Sequence, residues 1–121
     1  MPTILTDNRD TALKVGYEAT DWSNPIAFED YLQSMSGWSV QGIERDGKCI
    51  GAVYKKDGEV HVSVLKDWRK RWVTKGLLQS IFSPDVTRTE VVLGHEYMFG
   101  ILARLGMKNV GSYKFEVSHG H

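Results

Sequence analysis

The chain has 121 residues, 41% of them apolar and 25% charged, with 15 basic residues balancing 15 acidic ones, a composition that points to a single globular domain spanning 1–121. Zero net charge excludes a whole-molecule field that would gather nucleic acid or anionic lipid, leaving only a local patch. The lone Cys49 excludes an internal disulfide, no apolar run reaches the roughly 20 residues of a membrane span, and Met1-Pro2-Thr3 opens no signal peptide, so a soluble intracellular protein is expected.

Thr3 to Thr6 reads as a first strand, and polar residues 7–10 follow it. Thr11 to Glu18 reads as a weak helix interrupted by Gly16. The next helix is better signalled: Asn24 caps it, Pro25 suits its first position, and Phe28, Tyr31, Leu32 and Met35 fall on one face before Gly37 stops it. The period then changes to two. Trp38 to Glu44, Cys49 to Lys55 and Glu59 to Leu65 read as three strands joined at Asp46-Gly47 and Asp57-Gly58, strong hairpin signals. In the third strand Val60, Val62 and Val64 face one way, and His61, Ser63 and Leu65 the other.

Lys66 to Trp72 is basic and aromatic and leads into a helix with Val73, Leu77, Leu78, Ile81 and Phe82 on one stripe. Ser83-Pro84-Asp85 breaks it. Thr89 to Leu93 reads as a buried strand ended by Gly94. The last helix places Met98, Ile101, Leu102 and Leu105 on one stripe and stops at Gly106. Lys108 to Val117 is β-like, one strand or two, with Gly111 as the bend or bulge that would split it. The order predicts an α/β (α+β) fold, a mixed and mostly antiparallel sheet with helices on both faces.

Two segments make this order specific. Trp68-Arg69-Lys70-Arg71-Trp72-Val73-Thr74-Lys75-Gly76-Leu77-Leu78 follows a strand and opens a helix. It resembles, without a gap, the cofactor motif of the GNAT N-acetyltransferase superfamily, an aromatic-Arg-Gly-x-Gly-x-Gly run ending in two leucines. Ile101 to Gly111 is similar to the family's second signature, a helix running into Leu-Gly-Phe-x-x-x-Gly. The resemblance covers nearly the whole chain.

It implies acetyl-CoA as cosubstrate if the protein is an enzyme, and no cofactor if it is not. Backbone groups at Val64 and Leu65 would hold the pantetheine, and Arg69, Lys70, Arg71, Trp72, Val73 and Thr74 would form the diphosphate loop. The family's loop uses glycines so that backbone N–H groups can approach the anion closely. Here those three positions carry Lys70, Trp72 and Thr74, and an indole at the middle one occupies space that the phosphates need. The tyrosine that often protonates the leaving thiolate is replaced by Leu102, and an asparagine common at the start of that helix by His95. Tyr97 is offset from Leu102 by about 140°.

The resemblance draws the general base from the third meander strand, where Glu59 and His61 are the candidates. A locally packed histidine and a solvated carboxylate beside a turn are the competing readings. His95, His119 and His121 lack the spacing of a zinc site, so no metal is expected. Residues 66–75 could mark nucleic-acid contact, which neutral charge disfavours, and Trp38, Trp68 and Trp72 could anchor a protein interface. Cys49, mid-strand among apolar residues, reads as an inert buried thiol.

Two functions remain open. The eroded loop and short chain resemble small phage-encoded members of the superfamily that act in head assembly or inside the virion. On that reading the protein works through protein contacts, as a homo-oligomer or with virion components, in the host cytoplasm or the particle. The alternative is an acetyl-CoA-dependent N-acetyltransferase acting on a protein or small-molecule amine.

Overall fold

In a computed structural model, which describes residues 3–20, 26–69, 71–83, 85–91, 95–111 and 114–117 apart from the side chains of 110 and 117, the two Asp-Gly pairs turn the chain as their residue types demand. Asp46 and Gly47 have φ of 54° and 78°, and Asp57 and Gly58 have 48° and 83°. Positive φ at both central residues is the turn that matches strand twist. These turns join β2 (Ser39–Arg45), β3 (Lys48–Lys56) and β4 (Glu59–Val64) into an antiparallel meander. The expected three-strand unit is present, with Trp38 and Leu65 just outside it.

β1 (Ile4–Thr6) extends the meander on one side by pairing with β2. On the other side β5 (Arg88–Glu90) runs parallel to β4, followed by β7 (Lys114–Val117) and β6 (Met107–Gly111). The sheet of seven strands has the order β1-β2-β3-β4-β5-β7-β6, antiparallel except for the β4–β5 pair. The β-like stretch after Lys108 is therefore split into two paired strands, with a register shift between Asn109 and Gly111. The β4–β5 ladder covers only Glu59 with Arg88 and Val60 with Thr89. Beyond Val60, β4 and β5 do not pair among the described residues.

Helix α1 (Arg9–Ala19) begins where the Asn8 side chain accepts the Thr11 N–H, a cap hidden in the polar run after β1. Gly16 does not interrupt the helix. It lets α1 lie flat on the sheet, because a Cβ there would stand 1.7 Å from the Tyr54 hydroxyl. Helix α2 (Phe28–Ser34) has Ala27 at its N-cap; Asn24 and Pro25, the expected start, lie outside the described residues. Phe28, Tyr31 and Met35 pack inward while Leu32 is 36% exposed. The stripe is thus narrower than its spacing implied.

Helix α3 (Lys75–Ile81) is capped by the Thr74 hydroxyl, which accepts the Leu77 N–H at 3.2 Å, and Val73 precedes it. Helix α4 (Met98–Arg104) ends before Gly106, whose φ is 86°. Leu105 is exposed rather than on the buried stripe. Of the expected strand at 89–93, residues 92 and 93 and the terminating Gly94 lie outside the described residues.

Helices cover both faces. Ala12, Leu13 and Tyr31 from α1 and α2 pack on Val40, Ala52 and Tyr54. On the other face Val53, Val60, Val62 and Val64 meet Trp72, Leu77, Ile81, Met98 and Leu102. Ile50 reaches this second core because the β2–β3 register passes from Ile43–Gly51 to Glu44–Cys49 and skips it.

Candidate functional site

The alternation along β4 sends successive side chains to opposite faces, and a cleft lies on each. On the α1–α2 face, Thr20, Tyr31, Met35, Trp38, Tyr54, His61 and Ser63 line a pocket of about 300 Å³. The hydroxyls among them are joined. Tyr31 and Tyr54 share a hydrogen bond, Tyr54 bonds Ser63, Ser63 lies 3.4 Å from Thr20, and Thr20 donates to the Gly16 carbonyl at 2.8 Å. Burial pushes both phenols above their ordinary value of 10.0, Tyr54 far above it.

His61 forms one wall, with its ring edge-on to Trp38 at 5.4 Å between centroids. Its Nε2 bonds the Glu59 carboxylate, which also accepts from Arg88 Nε at 3.0 Å. The His61 hydrogen bond, then Arg88, holds the Glu59 carboxyl below its ordinary 4.5. The two candidates for a general base are therefore one couple at the pocket.

The other face of β4 is closed. The Val64 N–H donates to His95 Nε2 at 3.0 Å, and the Val64 carbonyl accepts from Arg69 Nε at 3.0 Å. The Leu65 N–H donates to the Ile50 carbonyl at 2.8 Å, while the Leu65 carbonyl accepts from the Trp68 N–H at 2.8 Å. All four backbone groups expected to hold pantetheine have partners within the chain. His95 is 2% exposed, and its ring lies 5.8 Å from that of Tyr97. The Tyr97 hydroxyl accepts from Trp72 Nε1 at 2.7 Å. Burial pushes this phenol up to about 12. Trp72 is wholly buried. What remains between Val62, Thr89, Val91, His95, Met98 and Leu102 is a cavity of about 20 Å³, room for about one water.

The loop residues are placed accordingly. Arg69 turns inward and also donates to the Ala19 carbonyl at 2.8 Å, a cation at the C-terminal end of α1. Arg71 is exposed, with its guanidinium 4.7 Å from the Trp68 ring centroid. Thr74 is committed to capping α3, and Val73 is half-buried against the core. Lys70, His119 and His121 lie outside the described residues. Trp72 is core rather than an interface anchor, whereas Trp38 is half-buried at the pocket. The Cys49 thiol is half-buried and donates to the Gly51 carbonyl, and burial pushes its pKa up. No group of three His, Cys, Asp or Glu among the described residues could hold a metal ion.

The sequence did not single out Tyr31, Met35, Tyr54, Ser63 and Thr20 as a set. Parity along β3 and β4 reaches only Tyr54 and Ser63 and helical spacing only Tyr31 and Met35, and neither says that these faces meet, with Thr20 at the end of α1. His95 was noted as a departure, but nothing local pairs it with Val64, 31 residues away.

No family model and no curated protein matches the sequence. Solved structures do match in fold. The ribosomal-protein-S18-alanine N-acetyltransferase of Escherichia coli superposes with a TM-score of 0.62 at 13% identity, over 90% of this chain and 79% of that one. A putative acetyltransferase of the GNAT family from Xanthomonas campestris gives 0.61 at 19% identity, over 90% and 87%. The PaiA N-acetyltransferase of Thermoplasma acidophilum, in complex with coenzyme A, gives 0.55 at 13% identity, over 98% and 100%. At such identities the likeness establishes a shared fold.

Proposed function

We propose that this chain is a degenerate member of the GNAT superfamily that works through protein contacts rather than by acyl transfer. One observation carries the reading: the Val64 N–H is held by His95 beside a fully buried Trp72. A pantetheine arm on β4 needs free backbone groups, and here each is already bonded. A diphosphate needs close approach to the N–H groups that open a helix. At the start of α3 the Thr74 side chain takes one of them, and the indole at the expected glycine position packs into the core. The residues present do not fit coenzyme A.

The finer assignment, a phage-encoded protein acting in the virion or its assembly, rests on the sequence resemblance alone. Mass spectrometry of purified particles and assembly intermediates tests it, and absence from both overturns it. Calorimetry with coenzyme A and acetyl-CoA tests the binding reading. No heat at millimolar ligand is the expected result, and saturable binding would reverse it.

The second reading, an acetyl-CoA-dependent N-acetyltransferase, is favoured by the fold neighbours and by the His61–Glu59 couple at a pocket. It requires His95 and Trp72 to leave their positions.

A further inference from the structure

Strands β5, β7 and β6 make up the outer part of the sheet, and its two faces differ. On one, Thr89, Phe115 and Met107 are buried, the last two in the same core as Met98 and Leu102 of α4. The opposite face is the one that carries Glu59 and His61, because side chains alternate along a strand and paired residues share a face. The 3.0 Å bond from Arg88 Nε to Glu59 agrees with that placement. Register then fixes which side chains stand together. Glu59 pairs with Arg88, Arg88 with Glu116 and Glu116 with Lys108, a row of alternating charge across β4, β5, β7 and β6. Two residues further along the strands Glu90 pairs with Lys114. Glu90, Lys108, Lys114 and Glu116 are exposed. Glu59, Arg88, Glu90, Lys114 and Glu116 border a hollow of about 220 Å³.

Opposite charges on neighbouring strands stabilise a sheet from within. This pattern has a second property: it is its own complement. A two-fold axis lying along the strands, between β5 and β7, exchanges those two strands and sets the face against itself. Arg88 then meets Glu116 of the second copy, Glu90 meets Lys114, and Glu59 meets Lys108, each contact occurring twice. That is the condition for an isologous interface, in which one patch serves both subunits.

Relief selects this axis. On the same face α1 and α2 stand on β2 and β3, and α1 reaches β4. The surface is therefore a step, a helical layer on one half and a charged sheet on the other. An axis across the strands would stack helices on helices. The axis along the strands carries the second copy's helices past β6 and lowers its charged half beside α1 and α2. Sheets packed face to face lie about 10 Å apart, close to a helix diameter of about 10–12 Å. The two steps interlock.

We infer that this charged half-face is a self-docking surface whose partner is a second copy of the chain, related by a two-fold axis along the strands between β5 and β7. The inference deepens the reading of this chain as a protein that works through contacts, by naming one partner. Three exposed strands about 4.8 Å apart offer much less than the roughly 800 Å² per subunit of a standard stable interface. The dimer is therefore weak, and because it rests on exposed charges it dissociates in salt.

The test is sedimentation of the whole chain at millimolar concentration, at low and at high salt. A reversible dimer that dissociates at high salt is the expected result. Glu90→Lys and Lys114→Glu each set like charges against each other twice, so each alone should weaken dimerisation about tenfold. Mixed in equal amounts, the two variants should recover wild-type association, because each presents the charge that the other lacks. The double variant Glu90→Lys/Lys114→Glu should do the same. Recovery in the mixture is a result that a change in stability cannot produce. Thermal melting checks that each variant folds. If one does not, Lys108→Glu, which faces Glu59 of the second copy, should weaken association by a similar factor.

A monomer at low salt, a dimer indifferent to salt and to these substitutions, or a mixture no more associated than its components would overturn the inference. None of these outcomes touches the contact reading, which the coenzyme A titration decides. Coenzyme A binding would remove that reading and leave the dimer standing.

Discussion

On one side of β4, Val62 and Val64 look toward α3 and α4, where His95, Tyr97 and Trp72 pack and a cavity of about 20 Å³ is left. On the other side, His61 and Ser63 look toward α1 and α2 across an opening of about 300 Å³. Both clefts are built from the same strand, one residue out of step. The closed one satisfies its backbone groups with side chains and packs an indole into the core. The open one links its hydroxyls to one another and to the Gly16 carbonyl, and keeps aromatic walls at Tyr31, Trp38 and Tyr54.

Four substitutions probe that contrast. Trp72→Ala removes the largest wholly buried side chain among the described residues and should cost about 3–5 kcal/mol in urea denaturation. A loss below about 1 kcal/mol would mean the closed side is loosely packed and could admit a ligand. His95→Ala leaves the Val64 N–H unpaired and removes a buried ring. It should cost about 2–3 kcal/mol, and His95→Gln, which restores an acceptor, should recover part of that.

Gly16→Ala attacks the open side from behind, since its Cβ would overlap the Tyr54 hydroxyl. A cost of about 1–3 kcal/mol is expected, and Tyr54→Phe should reduce it in a double-mutant cycle. Equal costs in both backgrounds would show that α1 shifts rather than clashes.

The smallest effect belongs to Glu59→Gln, and its sign follows from the couple with His61 and Arg88. The folded carboxyl titrates below its ordinary 4.5, so its stabilising contribution is present above that pH and is lost as pH falls through the lower folded value. The difference in thermal midpoint between wild type and variant should therefore shrink on acidification from pH 6 to pH 3. A difference that stays constant would place the carboxylate outside the folding equilibrium.

What the residues dictated alone is local. Asp-Gly pairs at 46–47 and 57–58 fix two hairpins because only certain residues tolerate positive φ, and alternation along residues 59–65 assigns faces because a strand has period two. Helical spacing found α2, α3 and α4, α1 read only as a weak helix, and parity placed His61 and Ser63 on the face opposite the valines. It could not tell that Gly16 is a contact rather than a break, or that Leu32 and Leu105 stay exposed.

Tertiary structure decided which cleft is filled. Val64 with His95, Trp72 with Tyr97, and Arg69 with Ala19 lie 31, 25 and 50 residues apart. Periodicity reports how a segment faces its own axis, whereas these contacts depend on where two distant segments meet. They form where the segment after β4 meets the start of α4 and the end of α1, a meeting that the order of strands and helices decides.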